Sequence, residues 1–283
     1  MIRIALPNKG RLAEETRELL ADAGLALRSA GDRVLTARLG DDFEALFVRA
    51  QDIPEFVADG AADAGVTGWD LVSESGRELQ SLLDLGFGAC RVVVAVREES
   101  PVTSIEGLSP GARVATVFPG ITRRYFTERG IPIELVPMSG AVEVAPHLGI
   151  ADVVVDITST GSTLKTNGLR EVATVMRSTA HVVARPGGAG PTELGELVAA
   201  LESVLRARGK RYLMANVPRR ALDQVREIVP GLNGPTVIDI MDGGVFVAVH
   251  AVVPAAAIYK TIAALKSLGA EGILVTRIER LMP

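Results

Sequence analysis

Apolar and polar positions follow two rhythms along this chain. Apolar runs of about four to eight residues, bounded by Gly, Pro or Asp, read as strands, and apolar residues at every third or fourth position read as helices. Ile2–Leu6 is such a strand, and Pro7-Asn8-Lys9-Gly10 is a turn. Leu12, Thr16, Leu19, Leu20 and Ala23 then share one helical face, closed by Gly24. Arg33–Leu39 and Glu44–Val48 predict a hairpin around Gly40-Asp41-Asp42. A helix over Ile53–Ala58, a strand over Ala62–Val66, a helix opening at Gly68-Trp69-Asp70 and a strand over Leu79–Leu85 follow. The next stretch reads as a strand at Cys90–Val96, a loop at Arg97–Pro110, a strand at Arg113–Val117 and a helix at Pro119–Arg129. A strand at Ile133–Val136 and a helix at Gly140–Leu148 complete it. Beyond a buried run at Val153–Val155 come strands at Glu171–Met176 and His181–Ala184, a glycine-rich loop at Arg185–Pro191 and a long helix at Thr192–Arg208 capped by Thr192. The tail reads strand (Arg211–Val217), helix (Arg219–Val229), hairpin (Thr236–Met241 and Val245–Val253 around Asp242-Gly243-Gly244), helix (Ala255–Leu268) and strand (Gly272–Ile278). That βαββαβ order is the ferredoxin-like arrangement.

The pattern also echoes itself. Gly60-x-Ala62-Asp63 precedes a strand and then Thr67-Gly68, and Gly149-x-Ala151-Asp152 precedes a strand and then Thr160-Gly161. This fits two similar α/β lobes with a ligand cleft between them. Open α/β sheets bind ligands at the carboxyl ends of their strands, so Lys9, Arg49, Asp70 and Asp156 are expected around one cleft.

Length and composition narrow the classes. At 283 residues, two or three domains are expected, and 48% hydrophobic with 23% charged residues is globular. A net charge of −4 leaves no nucleic-acid footprint. The single cysteine, Cys90, allows no intrachain disulfide and points to a reducing, cytoplasmic setting. The opening residues predict no signal peptide. The most apolar window, Val245–Leu265, holds His250, Pro254 and Lys260 and reads as strand, turn and helix rather than a membrane span. His147, His181 and His250 have no ligand spacing.

The chemistry concentrates in Asp152–Gly168, DVVVDITSTGSTLKTNG. A buried strand ends in Asp156 and turns through Thr158, Ser159, Thr160, Gly161, Ser162 and Thr163 into a helical turn at Leu164–Leu169. Hydroxyls, a glycine and free N–H groups suit a phosphate, and the carboxylate suits sugar hydroxyls or a metal. The stretch equally reads as an ordinary Ser/Thr-capped turn. Lys9 and Arg11 flank Gly10 and read as surface charge or as pyrophosphate ligands. Arg49 ends an apolar strand. Trp69, beside a glycine turn, reads as core or as a ligand contact. Glu143, early in its expected helix, either serves the helix dipole or pairs with Asp156 around Mg²⁺ or ribose. Arg123 and Arg124 sit at a helix start, where a cation opposes the dipole. A phosphate pocket, scattered cations and two carboxylates suit a phosphorylated, Mg²⁺-bound sugar whose leaving group departs while the protein positions substrates.

PNKGRL at Pro7–Leu12, RAQDIPEFVADGAADAGVTGWDLV at Arg49–Val72, LDLGFG at Leu83–Gly88, the Ser139–Leu169 run, and RYLM with PGLNGPTV in Arg211–Val237 together resemble long-form ATP phosphoribosyltransferases, which open histidine biosynthesis. The resemblance implies transfer of a phosphoribosyl group from phosphoribosyl pyrophosphate to N1 of ATP, with Mg²⁺. It implies two periplasmic-binding-protein-like lobes forming a catalytic cleft, lobe I at 1–89 and 184–209 and lobe II at 90–183, plus a regulatory domain at 210–283 that binds L-histidine as inhibitor. It implies a homo-oligomer, from dimer to hexamer, with no nucleic-acid or membrane partner. Thr158–Thr163 would hold the 5′-phosphate, and Glu143 and Asp156 the ribose and Mg²⁺. Lys9, Gly10, Arg11 and Arg49 would meet ATP or pyrophosphate, and Asp70 and Leu71 the purine side. The effector would sit near Asn216, Leu232, Thr236, Ala270, Gly272 and Ile273. A solute-binding protein or a sensor module is the competing class; the first would need a signal peptide, the second a DNA-binding unit.

Overall fold

The computed structural model describes residues 1–28, 35–187, 192–241 and 243–282. Parts of three expected features, the start of the strand at Arg33, the end of the Arg185–Pro191 loop and Asp242, lie outside the described residues. The chain forms two compact units, Met1–Val198 and Ala199–Pro283.

The first unit begins with β1 (Ile2–Pro7), α1 (Arg11–Asp22), β2 (Leu27–Arg28), β3 (Thr36–Leu39), β4 (Phe43–Val48), α2 (Ile53–Ala58), β5 (Ala64–Gly68), α3 (Trp69–Ser75) and β6 (Gln80–Asp84). It continues with β7 (Cys90–Arg97), β8 (Ala112–Thr116), α4 (Pro119–Glu128), β9 (Ile133–Pro137), β10 (Val153–Thr158), α5 (Ser162–Thr166) and β11 (Leu169–Ser178). Then come β12 (Ala180–Ala184) and α6 (Thr192–Ala207). The strands form two sheets, in the orders β2-β3-β4-β1-β5-β12-β6 and β11-β7-β10-β8-β9. This is the two-lobed, periplasmic-binding-protein-like architecture expected.

The chain crosses between lobes earlier than expected on its return. β12 pairs antiparallel with β5 and β6 in the first sheet, so Ala180–Val183 belong to lobe I rather than to a lobe II ending at 183. No glycine or proline marks that crossing, between Ser178 and Ala180. The second unit likewise begins inside α6 rather than at Lys210. The Leu281 N–H donates to the Ser203 carbonyl, which ties that half of α6 to the chain's last strand region.

The sequence echo is a structural repeat. Gly60 and Gly149 take left-handed backbone at φ 78° and 69°, and Ala62 and Ala151 are buried. Asp63 accepts from the Arg3 N–H at 2.8 Å, and its own N–H donates to the Arg3 carbonyl. Asp152 does the same with Arg113, at 2.9 Å. Each aspartate thereby fixes the start of its strand against the parallel neighbour, β5 on β1 and β10 on β8.

One expected helix is absent. Gly140–Leu148 holds only a 3-10 turn at Val142–Val144. Ala141 is left-handed at φ 52°, and Pro146 has no N–H to continue a helical hydrogen-bond ladder, although Ala145 before it keeps helical geometry. Glu143 therefore has no α-helix dipole to serve.

The second unit adds β13 (Lys210–Pro218), α7 (Leu222–Ile228), β14 (Thr236–Asp239), β15 (Phe246–Pro254), α8 (Ile258–Ser267) and β16 (Glu271–Arg277). The order β14-β15-β13-β16, antiparallel throughout, is ferredoxin-like. Leu213, Ala215 and Val217 of β13 pack with Val247, Val249 and Val253 of β15 over Val225 and Leu265 of the helices. No described helix is long and apolar enough to cross a membrane.

Candidate functional site

The site grows from β10. Val153 and Val155 are buried against Phe126 on one face, and Val154 against Leu164 and Val142 on the other. A strand gripped on both faces delivers its last residues to a fixed place. Asp156 is half-buried there, its Oδ1 accepting the Ile157 N–H at 2.7 Å. Burial holds its carboxyl above the usual range; the Ile157 N–H opposes this, and the nearby Glu143 charge adds to it. The structure thus brings the two expected carboxylates within electrostatic reach.

The loop after Asp156 closes on itself. Thr158 is buried, and its Oγ1 accepts the Gly161 N–H at 2.8 Å. Gly161 is left-handed at φ 81°, and a Cβ there would also stand 3.1 Å from Glu171 Oε1, so any larger residue would be strained. The Thr160 and Ser162 hydroxyls meet at 2.9 Å. From behind, Arg91 clamps Glu171 with two bonds of 2.6 and 2.9 Å.

A cavity of about 430 Å³ joins this loop to lobe I. Ile157, Thr158, Ser159, Thr160, Ser162 and Thr163 face Arg11, Gly68, Asp70 and Leu71 across it. Asp70 is buried; its N–H donates to Ser178 Oγ at 2.9 Å, and that hydroxyl donates to Asp70 Oδ1 at 2.6 Å. Beside this pair, burial and then the Asp70 charge push the Cys90 thiol up to about 11, against a bond to Ser178. A thiol so protonated is no nucleophile, and Cys90 is a packing residue at the cavity wall.

A second cavity, about 480 Å³, shares Ala89, Cys90 and Ser159 with the first and adds Asp84, Arg91, Arg177, Ser178, Thr179 and His181. Trp69 stacks on the His181 ring with centroids 5.1 Å apart and packs on the lobe I core. His181 meets the Ser81 hydroxyl at 2.7 Å and the Thr179 hydroxyl at 3.1 Å. Burial lowers its pKa, against the pull of Asp84, so the ring is neutral near pH 7. The sequence reading missed these residues. Their signal is register: Arg177 faces Arg91 and Ser178 faces Cys90 across β11 and β7, a pairing no motif announces.

Other expected residues are placed differently. Lys9 and Arg49 follow the adjacent parallel strands β1 and β4, at the carboxyl ends as expected, but both are exposed and line neither cavity. Arg11 lines the first cavity while bonding Glu15 at 2.7 Å. Arg124 reaches across to the Ser73 carbonyl. The N-terminus of α4 meanwhile receives its anion from lobe I: Glu74 accepts the Gly120 and Ile121 N–H groups, each at 2.8 Å. In the second unit, a Cβ on Gly272 would lie 3.5 Å from Asn216 Nδ2. Asn216 lies on β13 and Thr236 on β14, with β15 between them, so the expected effector residues divide between separated strands. Leu232 and Thr236 are exposed, Ala270 is buried and Ile273 half-buried.

The ATP phosphoribosyltransferase family model matches residues 49–203, and a model described as HisG, C-terminal domain, matches 207–280. The chain belongs to the ATP phosphoribosyltransferase family. A Gemmatimonas aurantiaca ATP phosphoribosyltransferase is 68% identical with full coverage of both chains, and one from Methanosarcina acetivorans is 49% identical, also with full coverage. The solved ATP phosphoribosyl transferase (HisG:HisZ) complex from Thermotoga maritima contains a chain 29% identical to this one. That match has a TM-score of 0.65 and covers 73% of this chain and 99% of that one. The family's chemistry makes this chain a phosphoribosyltransferase of histidine biosynthesis, and the C-terminal domain marks the long form.

Proposed function

We propose that the cleft joins N1 of ATP to C1 of phosphoribosyl pyrophosphate. The observation that carries this reading is the self-closed Thr158–Thr163 loop sharing one cavity with Asp70 and Leu71 of the opposite lobe. The loop's hydroxyls take the 5′-phosphate, Asp156 with Glu143 takes the ribose side, and Asp70 and Leu71 face the purine. N1 donates its lone pair to C1 as the C1–O bond breaks, and pyrophosphate leaves with the bonding pair. The protein's share is to hold the two reactants in line and to exclude water.

Mg²⁺ fits the donors present. Asp156 and Glu143 are hard oxygen ligands close enough to feel each other's charge, and Mg²⁺ is commonly held by one or two carboxylates plus substrate phosphates. When bound, it neutralises charge on the departing pyrophosphate. Lys9 and Arg49, which follow the paired strands β1 and β4, would meet the phosphates once substrates fill the cleft.

The same reading assigns residues 210–283 to inhibition by L-histidine, in a cytoplasmic homo-oligomer built from dimers up to a hexamer. Pyrophosphate release from ATP, phosphoribosyl pyrophosphate and Mg²⁺ tests the activity; a folded protein that releases none refutes it. Asp156→Asn and Thr160→Ala test the loop, with kcat/KM expected to fall roughly 10- to 100-fold for the charge-bearing position. Full activity in both would remove the assignment. Removal of Lys210–Pro283 is expected to abolish inhibition by histidine, with oligomeric state followed by gel filtration alongside.

A further inference from the structure

The two adjoining cavities are poor in available positive charge. Their lining cations are Arg11, Arg91 and Arg177. Arg11 bonds Glu15, and Arg91 is gripped by both oxygens of Glu171. His181 is held neutral by burial. Arg177 is exposed and, among the described residues, has no hydrogen-bond or ion-pair partner.

Its position is unusual on physical grounds. Arg177 lies directly opposite Arg91 across β11 and β7, and like charges so placed are destabilising. Glu171 draws the Arg91 charge away toward the back of the Thr158–Thr163 loop. That relieves the repulsion and leaves the second guanidinium facing the cavity. Asp84 shares the cavity from the other lobe, but its charge is directed to the Gly86 N–H at 2.9 Å and the Thr179 hydroxyl at 2.7 Å. Ser159 belongs to both cavities, so an anion beside Arg177 is continuous with a ligand in the hydroxyl loop.

We infer that Arg177 binds a phosphate chain in the second cavity, as the unpaired cation of a polyphosphate subsite whose like-charged neighbour is neutralised by Glu171. The inference rests on the activity proposed above, in which both substrates carry such a chain: the diphosphate of the sugar donor and the triphosphate of ATP. A planar guanidinium donates two parallel N–H bonds to a pair of phosphate oxygens.

The test uses the full chain with Arg177→Gln and Arg177→Lys. Binding of inorganic pyrophosphate with Mg²⁺ is measured by calorimetry, and KM is measured for each substrate in turn. Arg177→Gln is expected to weaken pyrophosphate binding about tenfold and to flatten its dependence on ionic strength. Arg177→Lys is expected to keep the dependence on ionic strength but to recover only part of the affinity, because an ammonium cannot make the paired contact. A rise in KM for the sugar donor alone assigns the subsite to its diphosphate; a rise for ATP alone assigns it to the triphosphate. Arg177 is exposed, so unchanged thermal melting should accompany either variant. Unchanged pyrophosphate affinity and unchanged KM for both substrates, in an enzyme that turns over, overturn the inference alone. A wild type that forms no product yet binds pyrophosphate through Arg177 would remove the proposed activity and leave the anion site standing.

Discussion

Glu74 offers the sharpest test of how the lobes of the first unit are held. It closes α3, whose first turn carries Asp70 and Leu71 into the cavity, and its carboxylate takes both the Gly120 and Ile121 N–H groups of α4 at 2.8 Å. Hydrogen bonds to a charged group contribute about 1.5–3 kcal/mol each when well buried, and a carboxylate at a helix N-terminus adds about 0.3–1 kcal/mol. Glu74 is half-exposed, and water replaces part of both bonds on removal. Glu74→Ala is therefore expected to cost about 2 kcal/mol. Glu74→Gln keeps one acceptor without the charge and should lose roughly half of that. Denaturant unfolding followed by fluorescence of Trp69, the sole tryptophan and itself in α3, reports on this contact. The midpoint should fall at unchanged slope. A loss below about 0.5 kcal/mol for Glu74→Ala would mean that solvent caps α4 as well as Glu74 does, and that Glu74 does not hold α3 to α4.

Three further outcomes follow from the electrostatics. Asp156 has its pKa raised in the folded chain, chiefly by burial, so its ionisation opposes folding. Stability from this group is lost as pH rises from the ordinary value of about 3.9 through the raised native one, and Asp156→Asn should melt no lower than wild type at pH 7 while losing activity. A lower melting temperature would contradict this. Asp152 is the opposite case: the Arg113 N–H and side chain outweigh burial and hold its carboxyl below the usual range. Its contribution is present above about pH 3.9 and lost as pH falls through the depressed native value. Wild type and Asp152→Asn should therefore differ at pH 7 and converge in acid; a difference independent of pH would refute the assignment. Cys90, with its thiol near 11, should be alkylated at pH 7.5 at least a hundredfold more slowly than a free thiol of pKa about 8.5, and rapid labelling of the folded chain would contradict its burial.

Much of the fold was legible because its cores are patterned strand by strand. The Val153–Val155 run, the Gly40 hairpin and the βαββαβ tail all follow from apolar period and glycine placement, and β3, β4 and β13 to β16 appear where those signals lie. The loop was legible too, because Thr158–Thr163 is a rare density of hydroxyls around one glycine. Two things were hidden. The helix expected over Gly140–Leu148 has acceptable spacing, but the left-handed Ala141 and the proline at 146 interrupt it; local backbone geometry outweighed periodicity. The cavity wall from Asp84 to His181 is assembled by strand register across both sheets, with Arg177 opposite Arg91 and His181 opposite Asp84. Register depends on residues far apart in the chain, and sequence spacing carries no record of it.

The repeated Gly-x-Ala-Asp step explains why the chemistry gathers where it does. In each lobe the aspartate fixes the first residue of a strand to its parallel neighbour, so the strand's other end is placed by counting. Seven residues on from Asp63 stands Asp70, and seven on from Asp152 stands Ser159; both line the first cavity. Equivalent positions of two similar lobes thus face one another, and their difference in chemistry defines the site. One lobe presents a carboxylate tied to Ser178, the other a hydroxyl loop closed on Gly161. A symmetric cleft has no direction, whereas this one sets a wall of hydroxyls against an opposing wall with a buried carboxylate. The activity proposed above would use that asymmetry, with the phosphate held on one side while C1 is presented to the other.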